Sequence, residues 1–288
     1  MSIVLGLSAA LAWGLADFGA RFATRQVGNI RAFLYMQLVG LVMISGWLLI
    51  YPPEIVWQWH IVAVAVLICI SNTFAGLALY RAFEIGLISI IAPVAASSGI
   101  IVLPLSILTG QKFLPWQIVG LLGLIVGVIL ASTSFSLSKK EPVLFEVQEK
   151  KFRGVGLAFL SATFFGFSFL GLSFITPSLG GIVPVFGSRL IGPIITLAFG
   201  LVIGQNIKLP GWSALPLIAG IGVLDTLAFV CYMVGIRSPE GGMVAVISTL
   251  FSAVTVLLAS IFLREKLAAN QWVGVGLILT GVVLVGAG

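Results

Sequence analysis

Charge is what this sequence has least of. Only 15 Lys or Arg and nine Asp or Glu stand among 288 residues, 8% in all, where soluble domains carry roughly 25%. So few charges cannot cover a water-soluble surface. Histidine is nearly missing as well, His60 being the single one, and no H-E-x-x-H pair or G-x-S-x-G turn occurs. Zinc hydrolysis and nucleophile-elbow chemistry therefore lack their residues. No lysine falls in the middle of an apolar segment, so an intramembrane serine would have no base, and the chain reads as a non-enzyme. A G-x-x-x-x-G-K-[ST] phosphate loop is also missing; direct use of ATP is not expected, nor is any cofactor. The two cysteines, Cys69 and Cys231, sit in apolar segments and act as small hydrophobes rather than a disulfide framework.

Apolar residues fill the space that charge leaves. They make up 60% of the chain, and the mean hydropathy is +1.21. Ten apolar segments follow one another at 3–22, 31–51, 60–81, 86–108, 115–134, 154–175, 181–203, 213–235, 241–263 and 270–287. Each is near the ~20 residues that cross a bilayer as a helix. The fold class predicted is thus an all-α membrane protein of ten transmembrane helices, its surroundings the lipid bilayer. The 34 glycines and 12 prolines suit spanning helices. No basic residue precedes the first apolar run, so that run is expected to be kept and not cleaved as a signal peptide.

One long polar stretch divides the chain. Residues 135–153 contain eight of the charged side chains, with five apolar segments on each side. The predicted organisation is a first repeat at 1–134, a cytoplasmic linker at 135–153 and a second repeat at 154–288. Basic residues support that orientation: twelve fall on the linker side of the segments, while only Lys112 and Arg237 fall on the other. The formal charge of +6 is read as this topology signal facing anionic lipid, not as a nucleic-acid surface.

The two halves resemble each other. A shift of 152 residues lays Ala10, Gly14, Gly19, Leu38 and Gly40 on Ala162, Gly166, Gly171, Leu190 and Gly192. A shift of 153 lays Thr73 on Thr226 and Asn72 opposite Asp225; one of 154 lays Lys112, Gln117, Gly120 and Gly127 on Lys266, Gln271, Gly274 and Gly281. Five being odd, the second half must be inverted with respect to the first. Inverted repeats are an architecture of secondary transporters, with substrate bound near the midplane between them.

Ionisable groups at membrane depth mark function by default, and three stand out: Asp17, Arg189 and Asp225. Arg189 and Asp225 either form a fixed pair between neighbouring helices or receive the anionic and amine groups of a substrate. Asp17 either pairs with Arg21 one turn on or faces a cavity, where a carboxylate can also carry a proton. Asn72 is the repeat counterpart of Asp225, as Gln37 is of Arg189. Ser97, Ser98, Ser248, Thr249 and Ser252 offer hydroxyls that either satisfy their own helix or meet substrate. Trp13 lies too deep for an interfacial belt; it either packs as lipid-facing bulk or walls a cavity, with Phe165 facing it across the pseudo-symmetry axis.

Two sets of residues carry a family resemblance. Trp13-Gly14 is echoed by Phe165-Gly166, and Leu263-Arg264-Glu265-Lys266-Leu267 is followed by Gln271, Gly274 and Gly281. The first-half copy keeps the frame with Gln111, Lys112, Gln117, Gly120 and Gly127. In these features the chain resembles the drug/metabolite transporter superfamily, in its ten-helix family with two EamA-type repeats. The resemblance implies a secondary transporter in a bacterial or archaeal plasma membrane, exporting small polar metabolites such as amino acids. Sugar or nucleoside uptake is the alternative within transport, and a channel or an intramembrane enzyme lies outside it. The partners implied are a small-molecule substrate and proton coupling, with the chain acting as a monomer or homodimer. The substrate-binding residues expected are Trp13, Asp17, Asn72, Phe165, Arg189, Asp225 and Ser248.

Overall fold

A backbone immersed in lipid must satisfy its own hydrogen bonds, and for this composition only helices do so. The structure, a computed structural model, describes residues 2–53, 55, 58–98, 100, 114–132, 153–238, 244, 247–265 and 267–286. Among these the elements are α1 (Ser2–Val27), α2 (Asn29–Ile50), α3 (Trp59–Ile85), α4 (Ile88–Ala96) and α5 (Pro115–Ser132), followed by α6 (Val155–Leu179), α7 (Ile182–Val202), α8 (Leu215–Gly235), α9 (Phe251–Leu258) and α10 (Ala269–Gly286). A π-helical turn, Ala259–Leu263, continues α9. The linker predicted at 135–153 lies outside the described residues except for Arg153.

Six helices, α1, α2, α3, α6, α7 and α8, are long and apolar enough to cross a membrane within the described residues, and α5, α9 and α10 are shorter apolar ones. Their outer faces are apolar too. Leu11, Val42, Ile194 and Leu257 are all more than half exposed, which suits contact with lipid and not with water. Glycine sets the ends of α6. Gly154 before it and Gly180 after it have φ of 89° and 70°, a region that side chains rarely adopt. Pro177 lies inside the last turn of α6.

The helices pair across the two halves. The most extensive packings are α5 with α10, α1 with α8 and α3 with α6. Next come α3 with α7, α8 with α2, and α2 with α7. Exchanging the halves, α1 for α6 and so on, carries each of these pairings onto itself or onto another of the set. Glycine contacts fix the direction. A Cβ at Gly127 would meet Gly274 O and Ile278, and one at Gly281 would meet Gly120 O and Leu124. The 154-residue shift turns the first contact into the second, and the rising number on α5 meets a falling one on α10. Equivalent helices therefore run antiparallel, as the inverted repeat requires.

Two spans expected to be continuous are interrupted. Predicted at 86–108, the fourth helix breaks after Ala96 in a turn at Ser97 and Ser98. Predicted at 241–263, the ninth is helical at Val244, Ile247 and Ser248 among the described residues, turns at Thr249 and Leu250 and resumes at Phe251. The 152-residue shift lays one turn on the other. Hydroxyls bonding back to the backbone accompany both: Ser97 Oγ donates to Val94 O at 2.6 Å, and Ser252 Oγ to Thr249 O at 3.2 Å. In α4, Pro93 also removes one N–H from the ladder.

Candidate functional site

Interrupted helices at equivalent places in inverted repeats point to a binding region between the halves. Near it, α1 and α8 run antiparallel, with Gly19 against Ile221 and Leu5 against Gly235. On α1, Trp13 and Asp17 are four residues apart and share a face. On α8, Asp225, Phe229 and Tyr232 share the opposing face by their helical spacing. Trp13 accordingly meets Phe229 at 6.0 Å and Tyr232 at 5.6 Å between ring centroids, and Phe251 of α9 at 6.0 Å.

One turn along, charge replaces the rings. Arg189 of α7 forms an ion pair with Asp225 of α8, Nη2 to Oδ2, and its Nε donates to Thr226 Oγ1 at 3.2 Å. Gly40 of α2 leaves the room for this: a Cβ there would overlap Thr226 and the Arg189 stem. The pair is not wholly sealed, since the Asp225 side chain is 23% exposed. Asp17 is half-buried, and no hydrogen bond or ion pair joins it to a described residue. It lies within Coulombic reach of Asp225, and Tyr80 of α3 is within reach of Asp17, Asp225 and Arg189 together. Three ionisable side chains thus gather with one carboxylate in excess.

The expected site residues fall into three groups. Trp13, Asp17, Arg189 and Asp225 come together as described. Asn72 is half-buried on α3, with no hydrogen bond to a described residue. Ser248 is buried just before the interruption of α9. Phe165 does not face Trp13. It stacks on Phe169 at 6.1 Å, Phe169 meets Tyr232 at 5.9 Å, and Tyr232 meets Trp13. The two residues are linked through Phe169 and Tyr232, since α3, not α1, is the main partner of α6.

Of the two alternatives for Asp17, the local pair with Arg21 is not formed among the described residues. Arg21 instead donates to Phe83 O at the end of α3, at 2.7 Å. Of the other candidates, Gln37 is turned to α7, its Nε2 3.4 Å from Thr196 Oγ1. Tyr80, Phe229 and Tyr232 were not singled out from the sequence. For the last two the spacing of Asp225, Phe229 and Tyr232 along one helix face was the available signal.

Comparison with known proteins agrees with this architecture. The chain is similar to an uncharacterised protein of Methanocaldococcus jannaschii, 28% identical over 134 residues, which is 46% of this chain and 97% of that one. A protein of known crystal structure shares the fold at a TM-score of 0.68 with 15% identity, over 98% of this chain and 95% of that chain. The model of the EamA-like transporter family matches residues 1–133 and again residues 152–287. With ten apolar helices among the described residues, inverted halves and a family match on both, this multi-pass membrane protein belongs to the EamA-like transporter family.

Proposed function

We propose that this membrane transporter is a secondary-active exporter of small polar metabolites, with amino acids the leading class, working by alternating access between its inverted repeats. The observation that carries this reading is Asp17: a carboxylate deep in α1, without a counter-ion among the described residues, beside the Arg189–Asp225 pair and an aromatic wall. An amino acid matches that arrangement group by group. Its ammonium would sit at Asp17, its carboxylate would take hydrogen bonds from Asn72 and the Arg189 fork, and its side chain would lie against Trp13. Phe165 and Ser248 would complete the surroundings through the aromatic chain and the interrupted α9. Between substrates, Asp17 is the group placed to carry the coupled proton. The linker at 135–153 lies in the cytoplasm in this reading, and both termini lie outside.

The test is counterflow in proteoliposomes with a panel of neutral amino acids, the matching amines without a carboxylate, sugars and nucleosides. Saturable exchange of amino acids, abolished in Asp17→Asn, is the expected outcome. Exchange confined to sugars or nucleosides would replace the amino-acid reading. Flux that neither saturates nor exchanges would remove the carrier mechanism itself.

A further inference from the structure

The turn between α9 and α10 carries Glu265, and its carboxylate is not left to solvent. Oε2 accepts from Ser89 N at 3.0 Å and from Ser89 Oγ at 2.7 Å, and Oε1 accepts from Ile88 N at 3.4 Å. These are free N–H groups at the first turn of α4, where a negative charge is favoured. Arg21 of α1 lies 3.8 Å from the same carboxylate, and the two side chains are only 5% and 6% exposed. Through Phe83 O, Arg21 also ties the end of α3 into the cluster.

Reaching this position strains the chain. Arg264, just before Glu265, has φ of 50°, the one non-glycine residue with positive φ among those described, and the last turn of α9 is π-helical. A conformation so rarely adopted by a side chain persists only where its surroundings hold it. Here it aims Glu265 at α4.

The contact joins the two repeats: Glu265 belongs to the second, and Arg21, Phe83, Ile88 and Ser89 belong to the first. It also lies at the basic end of the molecule, where further contacts gather. Arg25 donates from Nε to Glu84 O at 3.2 Å, and Gly86 is packed beneath Arg153 O. In the sequence the repeat-equivalent positions are Gln111 for Glu265, Ser173 for Arg21 and Gly241 for Ser89, of which Gln111 and Gly241 lie outside the described residues. Charge, guanidinium and hydroxyl are thus all lost from the copy.

We propose that Glu265, held by Arg21 and Ser89, is the bolt that closes the basic end of this transporter, and that it must release for that end to open. The inference rests on alternating access as read above. Two inverted repeats that exchange conformations exchange their closed ends, so a contact between repeats at one end cannot survive in both states. An ionic bolt whose repeat-equivalent sequence positions are all uncharged biases the resting protein toward the state closed at the basic end.

The experiment is electron–electron resonance between spin-label pairs, in proteoliposomes, on a Cys69→Ala/Cys231→Ala background checked for counterflow. One pair, Gln26→Cys with Ala269→Cys, reports the basic end; the second, Ser178→Cys with Trp116→Cys, reports the other. Glu265→Gln should give the first pair a new population several ångströms longer, and the second pair a shorter one. Arg21→Ala should do the same and Ser89→Ala to a smaller degree, so the test stands even where Glu265→Gln does not purify as a folded species. Unchanged distances, or widening at the basic end alone, would make Glu265 a static helix cap and overturn the proposal. Counterflow that fails in the unsubstituted protein would instead count against the transport mechanism.

Discussion

Gln37 and Arg189 occupy the same place in the two halves, 152 residues apart, and each lies against a glycine of the facing helix, Gly192 and Gly40. The backbone geometry is repeated and the chemistry is not. Gln37 is 2% exposed and directs its amide to Thr196, whereas Arg189 brings a fixed charge to Asp225. Asn72 and Asp225 diverge in the same direction. Duplication supplied a two-fold scaffold, and substitution then placed the charge at the crossing of α7 and α8. A ligand between the halves meets a surface with distinct ends, which suits a molecule that is itself unsymmetrical.

The sharpest way to break this comparison is to remove the charge. Arg189→Ala strands Asp225 without its counter-ion, which should cost about 3–5 kcal/mol, while Gln37→Ala gives up one hydrogen bond, worth about 1 kcal/mol. Unfolding midpoints in a single detergent would compare them. The neutral double variant Arg189→Gln/Asp225→Asn should recover most of the loss yet remain inactive in counterflow. Equal losses for the two single variants would erase the distinction between the halves.

The aromatic members should differ next. Trp13 meets three rings and Phe165 one among the described contacts. At about 0.5–1.5 kcal/mol per ring pair, Trp13→Leu should destabilise roughly three times as much as Phe165→Leu. Where the halves are alike, the effects should match. Gly127→Leu and Gly281→Leu each drive a side chain into the facing backbone, and each should cost about 1–3 kcal/mol. Unequal costs would mean that α5 and α10 do not cross symmetrically. Smallest are the hydroxyls of the interrupted helices: Ser97→Ala and Ser252→Ala should each lower stability by about 0.5–1 kcal/mol, again by a similar amount.

Much of the fold was legible because lipid imposes a simple rule. A run of about twenty apolar residues has one stable form in a bilayer, so the helices, the duplication and the inversion could all be read from residue spacing. The deep charges were legible for the same reason: Asp17, Arg189 and Asp225 contrast with everything around them. What could not be read was which helix stands beside which. Arg21 has a carboxylate one turn away, yet it bonds to Phe83 O because α3 ends above it. Phe165 is the repeat-mate of Trp13, yet α6 follows α3 and carries it elsewhere. The interruption of α9 was hidden for another reason, since no proline marks it and a hydroxyl at Ser252 leaves only a weak imprint on the sequence.

The packing of α1 on α8 and of α3 on α6 has a consequence for how the molecule is made. Each half emerges from the ribosome with its broadest contact faces shaped for helices that belong to the other half. The first five helices must therefore wait in the bilayer, unclasped, until the sixth and eighth are threaded in beside the third and the first. Assembly is completed late and all together, and a chain cut within the linker should still knit into one body when both pieces are produced in the same membrane.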